Sequence, residues 1–437
     1  MFKKGIAITA IFIISNFIQL VSQIVVTRLF GAKLDLDIFL AAVALPTIIV
    51  TVIYGTLNDA FLPLYGEQKA KNVDKADAYF VSHLFVLTVI GFLAAFILGF
   101  FARPISGFLY AGRGGDFINA VSFQMTYMFY SIPVSVIATI CGAYYYLHKQ
   151  FSRFPFAQAI GSVTNLLLII LLVPILGIFA LVFAFIINII FQIFFVIPPL
   201  KMFKSFKVLT FKRLNFSNFL NFFNLIACWV PLIIGSLALR SDTLIIRSFG
   251  ADLPTGYLVY LNLISKIFIL ATGMMTIGIQ ILQLPHLVEY FSGKRYMQAI
   301  TVVNKSKMTA VALSVAVTVA AYLLAPFFIN LLFVGGKFTR HDANITNSLI
   351  PIFLLPALGW GVNSVFLQPL IALKKQLAVG TLNVVALILA WTGATVIKAY
   401  YGPLAAIPVG LIILLFTGII GSEILWQKEK SRLLSAR

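Results

Sequence analysis

Acidic side chains are scarce in this sequence: 13 Asp and Glu occur in 437 residues, with only four His and two Cys. The few candidate ligands form no His/Cys/carboxylate cluster that would suggest a metalloenzyme, and no nucleophile motif stands out. Cys141 and Cys228 both lie in apolar stretches and read as small core residues; no disulfide can be inferred from them. A phosphate loop is also missing. Gly336-Lys337 is followed by Phe338 and lacks the Walker frame, which argues against an ATP-driven pump. Long polar stretches are absent too. The longest connections, near 59–79, 102–120 and 200–217, leave no room for a soluble domain.

What the chain does have is apolar residues, 61% of the total against 10% charged. Soluble chains average roughly 45–50% apolar and about 25% charged, so lipid must be the solvent over much of this surface. A helix needs about 20 apolar residues to cross a bilayer. Stretches of that kind lie near 6–28, 36–58, 80–101, 121–146, 155–173 and 175–199. A second set lies near 218–246, 255–283, 306–333, 343–372, 377–395 and 402–426. The split of 155–199 rests on Val173-Pro174-Ile175-Leu176-Gly177, which reads as a tight turn. The N-terminal run continues to about Phe30, too long for a cleaved signal peptide, and reads as the first span. The expected fold is an all-α polytopic membrane protein of about twelve helices, in an N-terminal bundle (1–205) and a C-terminal bundle (206–437).

The net charge of +19 invites a nucleic-acid reading, but the basic residues sit in short runs between spans. Of 32 Lys and Arg, 22 fall in one alternating set of loops and termini and nine in the other, with Lys266 inside a span. The positive-inside rule then puts both termini in the cytoplasm of a bacterial-type cytoplasmic membrane.

The two halves resemble each other at ordered points. Leu29-Phe30-Gly31-Ala32 matches Ser248-Phe249-Gly250-Ala251 at an offset of 219. Leu62-Pro63 matches Leu284-Pro285 and Arg103-Pro104 matches Ala325-Pro326, both at 222; Pro133 matches Pro356 at 223. Leu147-His148-Lys149 matches Leu373-Lys374-Lys375 at 226. Gly161 and Asn165 have counterparts in Gly380 and Asn383 after a deletion. Each half holds an even number of spans, so both enter the membrane from the same side. Such parallel repeats carry the expectation of a central cavity with a substrate path.

Polar stripes mark the expected interior. In the eighth span Asn262, Ser265, Lys266, Thr272, Thr276, Gln280 and Gln283 share one face at helical spacing. A lysine at a helix centre costs about 2.5–3.5 kcal/mol on insertion scales, so this face should meet protein or a wet cavity. Interhelical hydrogen bonding is the bland account, and it suits Ser and Thr better than Lys266 and two Gln. The second span carries Thr51, Tyr54 and Asn58; the first carries Asn16, Gln19, Ser22 and Gln23. Arg240, Asp242 and Arg247 belong to the seventh span. Arg240 and Asp242, two residues apart on a helix, should not face each other. Asp242 would then pair across to another helix or hold a coupling cation. Arg28 and Arg247 are repeat-equivalent, with headgroup and substrate roles equally open. A cavity with a cationic bias favours an anionic head such as phosphate or pyrophosphate.

These motifs resemble the multidrug/oligosaccharidyl-lipid/polysaccharide exporter superfamily, within it the lipid II flippase (MurJ or MviN) branch. The residues that carry the resemblance are Thr27-Arg28-Leu29-Phe30-Gly31-Ala32 through Asp37-Ile38-Phe39-Leu40, then Ala60-Phe61-Leu62-Pro63 to Glu67, Leu284-Pro285, and Gly335-Gly336-Lys337-Phe338-Thr339 with Asp342-Ala343. The resemblance implies two bundles that alternate between inward- and outward-open states and translocate polyprenyl-pyrophosphate-linked sugars. It implies a cavity cation at Lys266 and an acidic position near the outer end at Asp37. The family's first-span arginines are replaced here by Asn16 and Ser22, and a second-span arginine by Val50. The family's best-known type carries two further C-terminal spans beyond these twelve.

The expected function is therefore that of a non-enzymatic, secondary-type flippase for an undecaprenyl-pyrophosphate-linked saccharide, either a surface-polysaccharide repeat unit or the peptidoglycan precursor lipid II. The expected cavity residues are Lys266, Arg240, Asn262, Ser265, Thr276, Gln280, Asn16, Gln19, Gln23, Thr51 and Tyr54, with Asp242 and Asp37 as an ion pair or coupling-ion site. No organic cofactor or metal is expected; a coupling cation or the membrane potential would supply energy. The expected partners are the lipid-linked saccharide, membrane lipids and polysaccharide or cell-wall assembly enzymes. A cation-coupled drug exporter of the same superfamily and a membrane polysaccharide polymerase or glycosyltransferase are the alternatives.

Overall fold

In lipid, backbone N–H and C=O groups find no water and must bond within the segment, so apolar runs of this length fold as helices. The computed structural model describes residues 2–71, 73–199 and 216–435. Side chains at 2–10, 12, 70–75, 216–222, 224, 228, 274–278, 280–282 and 285 lie outside the description. The expected 205/206 boundary and the side chains of Cys228, Thr276 and Gln280 fall outside it as well.

Sixteen α-helices cover the described residues. The first six are α1 (Phe2–Phe30), α2 (Leu34–Lys71), α3 (Val73–Phe100), α4 (Ala102–Leu109), α5 (Gly115–Phe129) and α6 (Ser131–Leu147). Next come α7 (Arg153–Leu176), α8 (Phe179–Val196), α9 (Phe216–Leu239), α10 (Asp242–Gly250) and α11 (Tyr257–Ser292). The last five are α12 (Tyr296–Phe328), α13 (Arg340–Leu349), α14 (Leu354–Ala372), α15 (Gln376–Tyr401) and α16 (Pro403–Ser435). An isolated bridge from Gly335 to Phe338 is the one β-type pairing among the described residues. Among the described residues ten helices or helix pairs are long and apolar enough to cross a membrane, and the bent pair α9–α10 makes eleven. The remaining expected span is α11, 36 residues long. The chain is thus an all-α polytopic membrane protein.

The breaks have local causes. The turn between α7 and α8 falls at Gly177, whose φ of +56° suits glycine, so Pro174 stays inside α7. The expected fourth and tenth spans are each divided. The fourth breaks at Tyr130 into α5 and α6, and the tenth passes through a 3₁₀ turn, Ile350–Phe353, between α13 and α14. Pro133 and Pro356 sit in the first turns of α6 and α14, where a missing N–H costs little. The matched breaks follow the duplication. The seventh span departs from it: α9 and α10 meet at 47° across Arg240 and Ser241, whereas α1 is continuous.

By their contacts the residues form two compact units that interleave in sequence. The first comprises Met1–Val26 and Ile38–Ile233; the second comprises Thr27–Asp37 and Ile234–Arg437. In the first unit Phe61, Tyr65 and Phe80 are fully buried, and the buried Tyr110 hydroxyl donates to Ala41 O at 2.7 Å. Trp229 of α9 donates to Thr56 Oγ1 at 2.9 Å. In the second unit Gly235 and Gly380 bring α9 and α15 into backbone contact. A Cβ on Gly235 would lie 2.7 Å from Gly380 Cα, and Asn383 Nδ2 donates to Gly235 O at 3.3 Å. Small residues at such crossings let membrane helices approach closely. Lys307 pairs with Glu423 beneath the rings of Phe366 and Trp426, tying α12, α14 and α16 together. Large apolar side chains such as Phe96, Phe194, Leu323 and Tyr400 are exposed, as lipid contact requires.

Candidate substrate site

In the second unit, α10 and the first turns of α11 assemble a cationic patch. Arg247, near the end of α10, is buried, and its Nη2 donates to Asn262 Oδ1 at 3.3 Å. Lys266 stands one turn beyond Asn262 on α11, half-buried, near enough to Arg247 for the two positive charges to interact. Ser265, also buried, turns its hydroxyl back to Asn262 O at 3.1 Å. Asn262 Nδ2 is buried with no hydrogen-bond partner. Further along the stripe Thr272 is capped by its own helix, whereas Gln283 is 2% exposed with both amide atoms unpartnered. An unpaired buried polar atom costs about 1–3 kcal/mol. Two cations, an unpartnered amide and a buried Gln make this face of α11 a candidate for binding an anion.

Arg240 and Asp242 occupy the α9–α10 break. Arg240 is exposed, and its charge interacts with Asp242. The expectation that two residues two apart do not face each other holds for a straight helix, and the 47° bend removes that condition. Asp242 also reaches another helix. Its Oδ2 accepts from Trp360 Nε1 of α14 at 2.8 Å, and its Oδ1 accepts the Thr243 N–H at 2.7 Å. The second bond satisfies a donor that the helix break leaves open. Trp360 and the burial of Arg247 had no distinguishing signal in the sequence.

The stripe of the first unit is bonded differently. Tyr54 of α2 donates to Gln192 Oε1 at 3.0 Å, and Gln192 Nε2 donates to Asn188 Oδ1 at 3.1 Å, both on α8. Gly161 makes room for Gln192, since a Cβ there would stand 2.5 Å from Nε2. Gln192 and Asn188 were legible in principle as two amides in an otherwise apolar run. Ser15 and Ser162 share a 3.0 Å hydrogen bond; Thr51 and Ser22 bond to their own helices. Asn16 is half-buried, Gln19 exposed and Gln23 buried.

Asp37 lies elsewhere, at a junction built from the motif residues. Its Oδ2 accepts the Gly256 N–H at 2.6 Å, placing a carboxylate at the N-terminus of α11. Gly256 and Asp37 are separated by 219 residues, the duplication's own offset at this point. Nearby Tyr260 donates to Asp342 Oδ1 at 2.6 Å, while Asp342 Oδ2 accepts from Thr339 N and Oγ1, both at 2.7 Å, in a capping box. Lys337 N–H donates to Arg28 O at 2.7 Å. Segments distant in sequence, 27–37 and 335–342, thus meet at the start of α11. We expect Asp37→Asn to weaken this junction by about 1.5–3 kcal/mol, the range for a hydrogen bond to a charged group. A lower melting temperature of the purified protein would show it, and an unchanged one would remove the carboxylate from the fold's support.

The family model described as lipid II flippase MurJ matches residues 26–419, most of the chain. The chain belongs to this family. MurJ relatives include a probable lipid II flippase of Borreliella burgdorferi, 25% identical over 378 residues, covering 83% of this chain and 72% of that protein. Another, from Buchnera aphidicola subsp. Acyrthosiphon pisum, is 20% identical over 365 residues, covering 80% of this chain and 69% of that one. A solved structure of lipid II flippase MurJ in an inward closed conformation matches with a TM-score of 0.78 at 18% identity, covering 97% of this chain and 87% of that one. An inward-facing multidrug resistance transporter of the MATE family matches with a TM-score of 0.77 at 12% identity, over 96% of both chains. The fold is thus that of the wider exporter superfamily, and the MurJ model assigns the branch. MurJ is a flippase family, not a catalytic one.

Proposed function

We propose that this chain is a flippase for an undecaprenyl-pyrophosphate-linked saccharide in the cytoplasmic membrane. It would work by alternating access, with the cationic face of α11 gripping the pyrophosphate. The observation that carries the reading is the buried Arg247 held by Asn262 within charge range of Lys266. An anion with two phosphates can pair with two neighbouring cations at once. The unpartnered Asn262 Nδ2 supplies a further donor. The drug-exporter alternative draws less support. It needs Asp242 available to a cation, and both oxygens of that carboxylate already accept hydrogen bonds.

The family name favours lipid II as the saccharide carrier; the replacement of first-span arginines by Asn16 and Ser22 favours a related precursor with another sugar. Expression in cells depleted of their essential lipid II flippase separates the two. Rescue of growth identifies lipid II. Failure to rescue, with flipping of a polyprenyl-pyrophosphate-linked surface oligosaccharide in vesicles, identifies the other. Transport of neither sinks the proposal. The excess of Lys and Arg on one set of loops supports cytoplasmic termini, and a terminal reporter active only outside the cytoplasm would contradict that orientation.

A further inference from the structure

The first unit carries a second cationic feature that the transport reading does not use. Two cavities flank the α6–α7 turn. One, of about 460 Å³, is lined by Ile11, Lys149, Phe151, Arg153 and Phe156 among others. The other, of about 430 Å³, is lined by His148, Arg153 and Ile197 among others. Arg153 belongs to both, and its guanidinium is held in place. Its Nε–H donates to Phe195 O at 2.9 Å, and its carbon centre lies 4.1 Å from the Tyr145 ring centroid. Tyr145 is itself buried and anchored by donation from its hydroxyl to Ile197 O at 2.7 Å. The terminal nitrogens of Arg153 thus present a preorganised fork, the geometry that suits a phosphate.

Lys149 adds a second charge at a backbone cost. It sits at φ +61°, the left-handed position that ends α6, where the Gln150 N–H closes on Tyr145 O. Glycine is the residue such a cap favours. The first cavity also has an apolar side: Phe151 and Phe156 are both about half exposed. Cations facing exposed aromatics match an amphiphile, with its phosphate on Lys149 and Arg153 and its chain along the rings. A free phosphate would leave those rings unused.

We propose that the α6–α7 turn is a binding site for the phosphodiester headgroup of an anionic membrane phospholipid, separate from the transported substrate. The turn belongs to the loops that the charge bias assigns to the cytoplasmic side, where anionic lipids concentrate. The test uses full-length protein in phosphatidylcholine nanodiscs containing a minority of phosphatidylglycerol. Native mass spectrometry reads the phospholipid retained. Wild type should keep phosphatidylglycerol, and Arg153→Gln and Lys149→Gly should each lower its retention roughly tenfold, the loss expected for one charge-assisted contact. Lys149→Gly also relieves the left-handed strain, so it should bind less lipid while melting no lower than wild type. Equal retention in wild type and both variants overturns the proposal. Displacement of phosphatidylglycerol by millimolar inorganic phosphate overturns it in favour of a soluble anion. Loss of undecaprenyl pyrophosphate retention in its place reassigns the turn to the substrate path and overturns it too. The readout is lipid retention, so its failure leaves the flippase reading standing.

Discussion

Lys266→Ala should lower flipping of a polyprenyl-pyrophosphate-linked saccharide in reconstituted vesicles by roughly ten- to a hundredfold. The estimate follows from the worth of one hydrogen bond to a charged group, about 1.5–3 kcal/mol. Arg247→Ala should have an effect of similar size, because the proposed mechanism has Arg247 and Lys266 act on the same anion. Arg247→Ala should also lower the melting temperature, since Asn262 Oδ1 loses its donor. Lys266→Arg should retain much of the transport. A Lys266→Ala protein that flips at the normal rate would remove this residue from the mechanism.

Gly336→Ala and Gly31→Ala should be among the most destabilising single-methyl additions in the second unit. Gly336 has φ +58°, and a Cβ there would stand 2.3 Å from Arg28 O. Gly31 has φ +69°, and its Cβ would stand 2.4 Å from Lys337 O. Both obstacles are backbone, so a side chain cannot simply turn away. The shift would break the 2.7 Å hydrogen bond from Lys337 N–H to Arg28 O. Left-handed strain costs about 1–2 kcal/mol and forced overpacking about 1–3, which together give roughly 2–5 kcal/mol. Two controls separate the terms. Gly177 has φ +56° but open space around its Cβ, so Gly177→Ala should cost only the strain. Gly107 is helical with nothing within 4 Å, so Gly107→Ala should stabilise by about 0.5–1 kcal/mol. Melting temperatures that fail to rank Gly336→Ala below Gly177→Ala would mean the junction is looser than its contacts imply.

Much of the fold was legible because a membrane span needs only length and apolarity. The twelve expected stretches coincide with α1, α2, α3, the α5–α6 pair, α7, α8, the α9–α10 pair, α11, α12, the α13–α14 pair, α15 and α16. The helix breaks were harder to read. Pro133 and Pro356 offered a signal for two of them, but a hydropathy window averages across the interruption. The bend at Arg240 and Ser241 had no proline or glycine at it. At that bend Asp242 Oδ1 accepts the following N–H, a contact that only coordinates reveal.

The site divides in the same way. Periodicity put Asn262, Ser265 and Lys266 on one face of α11, and in the structure Asn262 and Ser265 are buried with Lys266 beside them. The partner that defines the patch came from another helix. Arg247 had looked equally suited to a headgroup, because helical spacing says which residues share a face and nothing about what that face meets. The same limit applied to Tyr54, whose bond to Gln192 crosses from α2 to α8.

The sequence by itself determined that this is a helical membrane protein with a duplicated plan, scarce acids and a lysine where lipid would make it costly. Those properties follow from local composition and period, which the solvent reads one segment at a time. Only the tertiary structure decided that Arg247 joins Asn262 and Lys266, that Asp242 is tied to Trp360, and that the motifs at 27–37 and 335–342 meet at the start of α11. Each of these depends on groups far apart in the chain, whose meeting is set by how the helices pack.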